Sequence, residues 1–128
     1  MYVCRNNTTM INANELRIGN LLNYQTAEGD ILTATIDWQA LKWISEDSKG
    51  FNLVHSAIPL TEDWLLKFGF EKIVGWDDIT FFSKNGVDIE IHNDGFYANR
   101  KIEYIHTLQN LYFALTGVEL EMKGGCNE

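Results

Sequence analysis

The sequence has little cysteine, little proline and no long apolar run. Its 128 residues include two cysteines and one proline. Cys4 and Cys126 form no C-x-x-C or Cys/His spacing, so no zinc site is predicted, and a disulfide between them stays open. No stretch approaches the roughly 20 apolar residues of a membrane span. The first residues lack the apolar run of a secretory signal. A cytosolic protein without a membrane partner is therefore expected.

Positive charge is also scarce. Ten Lys and Arg residues stand against 18 Asp and Glu, which gives a net charge of −8. Affinity for duplex DNA comes largely from Lys and Arg that neutralise phosphates, and the longest basic run here is Arg100-Lys101. Duplex DNA is therefore not an expected partner. Three explanations for the acidic surplus are left: binding of a basic protein, binding of a ligand in a local pocket, or solubility alone.

Motifs for catalysis and for cofactor binding are missing too. Neither a G-x-G-x-x-G loop nor a P-loop occurs, and no Ser or Cys lies in a nucleophile-elbow pattern. We therefore predict no catalytic residue and no cofactor. Enzyme activity stays open but is not favoured.

The length and the aromatic content are those of one globular domain. Hydrophobic residues make up 45% of the chain. We expect one α+β domain over residues 10–123, a disordered leader over 1–9 and a flexible tail over 124–128. Whether Met1 or Met10 is the native start stays open.

The first half is predicted to be rich in antiparallel β-strands. Residues 32–38 alternate apolar and polar side chains, as a half-buried strand does. The apolar pattern continues through Trp43, and residues 51–58 are interpreted as a returning strand. The segment 16–20 leading into a strand is reminiscent of small SH3-like barrels, which makes such a barrel one candidate arrangement.

The second half is predicted to follow an α-β-β-β-α order and to pack with the first half. Thr61 can cap a short helix that ends at Gly69, and Asn85-Gly86 is the signature of a two-residue hairpin turn. Pro59 marks the joint between the halves. After the Thr61 helix we expect strands over 79–84, 87–92 and 96–102, a helix over 103–116, and a short final strand over 118–122.

One strand carries a candidate for metal binding or proton transfer. Alternation places Asp88, Glu90 and His92 on one face, and Asp94 can reach in from the next turn. Carboxylates with an imidazole can hold a divalent ion or move protons. A water-exposed strand face shows the same alternation, so no metal is predicted from these residues alone.

The last helix offers a candidate interaction surface. The spacing of Leu108, Leu111, Tyr112 and Leu115 predicts one buried stripe. Phe113 lies off this stripe and on the side of His106, Gln109 and Asn110. A Phe among polar groups on an outward face is typical of an interface anchor, unless another element covers it. Trp76, in a loop of Gly and Asp, is the tryptophan most expected to be exposed, with loop anchoring as the alternative.

Tyr97, Asn99 and Arg100, followed by Lys101, make the one local group that is both basic and aromatic. Such a group can hold a small ligand that carries phosphate. An exposed edge strand is the alternative interpretation.

Three segments carry a resemblance to a known set of proteins. They are NELRIGN at 14–20, IPLTEDWLLKFGF at 58–70 and LQNLYFALTG at 108–117. They resemble small uncharacterised proteins of Bacteroidetes bacteria and of their phages and mobile elements. The resemblance implies a setting in accessory genes of mobile elements, and no activity or residue role. It also agrees with a start at Met10.

Three functions follow as hypotheses. The first is a non-catalytic protein-interaction protein of a phage or mobile element. It would act in the host cytosol on a host or element protein, with modulation of host defence or regulation as its role. The second is a small-molecule binder such as a nucleotide sponge, and the third is a small hydrolase or lyase. A homodimer is compatible with each of them.

Overall fold

The computed structural model describes residues 10–76 and 79–122. Helices and antiparallel sheets are both present, which confirms the α+β class. The chain divides into two compact units, Met1–Ile58 and Pro59–Glu128. This boundary coincides with the joint predicted at Pro59. The expected leader over 1–9 and tail over 124–128, with both cysteines, lie outside the described residues, and the single domain over 10–123 stays a prediction.

The first unit opens with a 3-10 turn and carries three strands and two helices in its described part. Asn12 caps the turn through its backbone N–H, which donates to Glu15 Oε2 at 3.3 Å. The three strands form one antiparallel sheet in the order β2-β1-β3. In chain order the elements are β1 (Leu21–Gln25), β2 (Ile31–Thr35), α1 (Trp38–Glu46), α2 (Ser48–Val54) and β3 (His55–Ser56).

Residues 38–54 are helical, so the strands predicted around Trp43 and over 51–54 are wrong. Two aspartates explain the difference, because each accepts a hydrogen bond from a first-turn N–H. Asp37 accepts from Ala40 N at 2.9 Å, and Asp47 accepts from Gly50 N at 3.1 Å. The likeness to SH3-like barrels loses its basis in the described residues, since the segment that would supply further strands forms α1 and α2.

The core of the first unit is built around Phe51. Its ring stacks on His55 with centroids 3.9 Å apart and planes 8° from parallel, and Trp43 meets both rings edge-on. His55 Nδ1 lies 3.0 Å from the carbonyl oxygen of Phe51, to which it can donate. The buried apolar residues of this core are Ile11, Leu16, Leu22, Ile36, Ile44 and Phe51.

His55 should make the stability of the protein depend on pH. Burial lowers its pKa below the ordinary value of 6.5 because it disfavours the charged ring, although the Phe51 carbonyl acts the other way. The unfolded chain then binds the proton more tightly than the folded one. The contribution of His55 is therefore complete above pH 6.5 and is lost as the pH falls through the folded pKa.

Thermal melts from about pH 8 to about pH 5 check this expectation. His55→Phe keeps a ring in the stack and removes the titrating group, so its melting temperature should fall less on acidification than that of the wild type. Equal falls in the two proteins would count against the assignment.

In its described part, the second unit has a five-stranded antiparallel sheet, with one helix before it and one helix after it in the sequence. The sheet has the strand order β4-β5-β6-β7-β8, so each strand pairs with the next along the chain. The elements are α3 (Glu62–Lys67), β4 (Glu71–Val74), β5 (Thr80–Lys84), β6 (Val87–His92), β7 (Gly95–Ala98), β8 (Arg100–Ile102) and α4 (Ile105–Thr116).

Local signals in this unit act as predicted. Thr61 Oγ1 accepts from Trp64 N at 3.3 Å, and Gly69 closes the helix at a φ of 90°. The Asn85-Gly86 turn joins β5 to β6 with both residues at positive φ. It sets the predicted register, which places Phe82 opposite Ile89 and Phe81 opposite Glu90.

Three other predictions for this unit need correction. β4 is a strand that the sequence analysis missed. The expected strand 96–102 is two strands, because Asn99 turns the chain at a φ of 73°. The final strand predicted over 118–122 is wrong, since these residues carry no strand. Only Leu120 of its alternating apolar residues is buried.

The sheet has one buried face and one face open to water. Phe82, Val87, Ile89 and Ile102 are buried on the first face. Lys84 shares that face of β5 with Phe82. Its Nζ donates a hydrogen bond at 2.6 Å to the carbonyl oxygen of Phe68, the C-cap residue of α3. The longest described helix, α4, has 12 residues, and no described helix is long and apolar enough to cross a membrane.

Candidate functional site

The open face of the second sheet carries the acidic residues singled out from the sequence. Asp88, Glu90 and His92 alternate along β6 and are exposed, as predicted. The register sets Ser83 opposite Asp88 and Tyr97 opposite Glu90. Directly opposed residues of an antiparallel pair share a face, so these five side chains belong to one surface.

A groove of about 530 Å³ lies along this surface, and we call it the carboxylate groove. It joins the residues proposed for metal binding with two of those proposed for ligand binding. A residue of α4 completes it. Its principal lining side chains are Asp88, Glu90, His92, Tyr97, Asn99 and Leu115.

The groove lies where β6 and β7 stop pairing with each other. β5 pairs with β6 from Val87 to Glu90, whereas the β6–β7 ladder runs only over the three pairs from Glu90↔Tyr97 to His92↔Gly95. Asn99 then turns the chain into β8. In the described sheet, residues 87–89 thus have a strand partner on one side, and the gap on the other side is the groove.

Hydrogen bonds fix the polar side chains of the groove. Ser83 Oγ donates to Asp88 Oδ1 at 2.6 Å, and Glu90 Oε1 lies 3.0 Å from His92 Nε2. The His92 ring meets the Tyr97 ring at 4.5 Å between centroids. The carboxylates are therefore held at defined positions instead of sweeping freely through solvent.

Beside the groove, Tyr97 and Asp94 form a coupled pair. The Tyr97 hydroxyl donates to Asp94 Oδ2 at 2.8 Å. That bond lowers the pKa of Asp94, with smaller contributions from Lys101 and His92, and it raises the pKa of Tyr97. Asp94 therefore stays ionised and adds a third negative charge to this end of the sheet.

The arrangement suits an organic cation better than a metal ion. Among the residues that the structure describes, no three His, Cys, Asp or Glu side chains come together as a metal site. Asp88, Glu90 and His92 share a face without converging, because alternate residues of a strand are spaced along it. The groove lining holds carboxylates and no Lys or Arg.

The phosphate-binding group predicted from Tyr97, Asn99 and Arg100 is not assembled. Tyr97 and Asn99 line the groove, and Arg100 does not. The reason is the strand order: Arg100 and Lys101 lie on β8, which pairs with β7 on the side away from β6. Lys101 in turn lies 3.9 Å from Glu103 Oε2.

The helix surface predicted around Phe113 is smaller than expected. His106 and Gln109 are 1% and 2% exposed, so their assignment to an outward face is wrong. His106 stacks on Tyr104, and Gln109 Nε2 donates to the Leu120 carbonyl at 3.5 Å. Residues after the helix thus cover that side. Phe113 stays partly exposed and Asn110 half-buried.

Trp76 and Leu115 are both largely exposed. Trp76 is almost fully exposed, as predicted. Leu115, expected on the buried stripe of the helix, is instead 62% exposed and lines the groove. Leu115 lies in the last turn, just before Gly117 ends the helix. That position is the sequence signal that could have predicted its exposure.

Comparison with known proteins adds nothing to this geometry. No family model, curated protein or solved structure matches the chain. The groove and the charges that line it are therefore the features that bear on function.

Proposed function

We propose that this chain is a non-catalytic protein-interaction protein that takes a Lys- or Arg-bearing segment of its partner into the carboxylate groove. The observation that carries the proposal is the pair Asp88 and Glu90, held in a groove whose lining includes no Lys or Arg. The resemblance to phage and mobile-element proteins supports a setting in the host cytosol and a role in modulating host defence or regulation.

The chemistry of the groove matches a long cationic side chain. A guanidinium forms paired, charge-assisted hydrogen bonds with carboxylates, and the ring of Tyr97 offers a face for cation–π contact. Leu115 gives the aliphatic stem an apolar surface to lie on. The net charge of −8 further favours approach by a basic partner.

The spacing of the carboxylates favours an extended segment with basic residues two apart. Asp88 and Glu90 are residues i and i+2 of β6, roughly 6.5–7 Å apart along the strand. An extended peptide presents its own i and i+2 side chains on one face at the same spacing. A volume of about 530 Å³ is large enough for such side chains but not for a whole partner domain. The groove therefore binds the anchoring side chains of a larger contact.

The other two functions are less well supported by the same geometry. Phosphates of a nucleotide would meet Asp88 and Glu90 in the groove, while Arg100 lies on β8, which pairs with β7 on the side away from β6. A hydrolase or lyase that used Glu90 and His92 would need them beside a substrate shielded from water, and both side chains are about half exposed or more.

A titration with the peptide acetyl-Arg-Ala-Arg-amide tests the proposal. Asp88→Asn with Glu90→Gln should weaken binding at least about tenfold, a loss of ~1.4 kcal/mol or more. Nitrogen–proton NMR spectra should show the largest shifts at residues 87–92 and 97–99. Raising the salt concentration should weaken binding further.

Two controls make the result specific. Glu28→Gln with Asp30→Asn removes the same two charges from the exposed β1–β2 turn and should leave the affinity unchanged. Acetyl-Gln-Ala-Gln-amide should not bind. Equal weakening by both double variants, or shifts centred elsewhere on the protein, would show that the attraction is only the net charge of the chain.

A further inference from the structure

Strand β2 is an edge strand without the usual protection. Among the strands of residues 10–76 and 79–122 it pairs with β1 only, at the end of the order β2-β1-β3. Ile31 and Leu32 are 58% and 54% exposed. Edge strands of soluble proteins are normally guarded by charged residues, proline or a bulge, and Ile31–Thr35 contains neither a charge nor a proline. Its β-branched residues favour further strand pairing.

The hydrogen bonds around β2 show which of its backbone groups point outward. Thr26 N donates to Asp30 O, and Ile36 N donates to Asn20 O, each at 2.8 Å. Bonded pairs alternate along an antiparallel ladder, so Leu32 and Ala34 direct their N–H and C=O groups to β1. The N–H and C=O groups of Ile31, Thr33 and Thr35 therefore face away from the sheet.

We propose that a second copy of this chain docks on β2, antiparallel, about a two-fold axis at Thr33. Thr33 then pairs with the partner's Thr33, and Ile31 pairs with the partner's Thr35. Each outward N–H meets an outward carbonyl, which gives about six new backbone hydrogen bonds in the alternating pattern of an antiparallel ladder. The two three-stranded sheets join into one continuous sheet.

A second copy fits this edge because the sequence of β2 complements itself. In the two-fold register a large side chain meets a small one on each face: Ile31 faces the partner's Thr35, and Leu32 faces the partner's Ala34. Thr33 faces its own copy, and Thr–Thr pairs are favourable across strands. β2 contains no charged residue, so the register places no like charges opposite each other within the paired strands.

Electrostatics and size predict a weak dimer that salt strengthens. Each chain carries a net charge of −8, so two copies repel each other at low salt. Added salt screens that repulsion. Five residues per chain bury less than the roughly 1,200–2,000 Å² of a standard stable interface, so the dimer forms reversibly as the protein concentration rises.

Sedimentation velocity on the full chain tests the proposal. Wild type should shift from monomer to dimer with concentration, and more so at higher salt. Thr33→Lys places two like charges face to face at the axis and should raise the dimer dissociation constant at least about tenfold. Thr107→Lys, on the exposed side of α4, is the matched control and should dimerise as the wild type does.

Amide hydrogen exchange of the wild type provides a second test that needs no variant. The amides of Ile31, Thr33 and Thr35 should gain protection as the concentration rises, whereas those of Leu32 and Ala34 are bonded to β1 throughout. A chain that stays monomeric at the highest soluble concentration would overturn the proposal. So would a dimer that Thr33→Lys leaves intact, or one in which these three amides exchange as fast as in the monomer.

Discussion

A Phe82→Ala variant is expected to lose about 3–5 kcal/mol of unfolding free energy, because it empties a fully buried site. Phe82 lies on β5 of the second sheet, opposite Ile89 of β6, and both side chains are fully buried. A loss of this size takes about a fifth or more of the roughly 5–15 kcal/mol that keeps a small domain folded. Urea denaturation of the two proteins measures the difference.

Phe81→Ala is the control for that measurement. Phe81 is the neighbouring residue on β5, it points to the opposite face, and it is only half-buried. It should cost no more than about 1–2 kcal/mol, since less apolar area returns to water. Similar losses for Phe81→Ala and Phe82→Ala would mean that the strand does not keep the register set by the Asn85-Gly86 turn.

That register is an example of what the sequence predicts well. A turn with two residues at positive φ needs Asn-Gly or a similar pair, so Asn85-Gly86 fixes the pairing of β5 and β6 by local chemistry alone. The cap at Thr61 works in the same way. In both cases the residues that determine the structure are within four positions of the atoms they bind.

Residues 38–54 show where sequence patterns compete. Trp38 continues the alternation of β2, and Leu41 and Trp43 continue the apolar pattern after a break, yet Ala40, Leu41 and Ile44 also fit the spacing of an amphipathic helix. The caps at Asp37 and Asp47 decide in favour of helices. Both aspartates are N-cap residues, and a period-two pattern of apolar side chains does not take such residues into account.

The candidate site was only partly predictable for a different reason. Alternation along β6 places Asp88, Glu90 and His92 on one face, as the structure shows. The groove depends instead on the turn at Asn99 and on Leu115 of α4, which come together only through the packing of the second unit. In the same way, the burial of His106 and Gln109 depends on residues that follow the helix.

A Phe51→Ala variant is expected to destabilise the first unit by about 3–5 kcal/mol, through the same cavity effect. Phe51 is fully buried, and its ring carries the stack on His55 and the edge contact of Trp43. Leu53→Ala, on the same short helix but at a residue 79% exposed, should stay within about 0.5 kcal/mol of the wild type. Equal losses in the two variants would show that α2 does not bury the face described here.

Hydrogen exchange in the Phe51 variant also decides how the two units share their stability. If residues 10–123 form one cooperative domain, as the sequence predicts, a loss in the first core lowers the protection of slow amides in both units alike. Amides of Phe82 and Ile89 that keep their wild-type protection would instead show that the unit beginning at Pro59 unfolds on its own. The carboxylate groove would then be carried by a module that does not depend on the β2 edge, and partner binding and self-association could be removed one at a time.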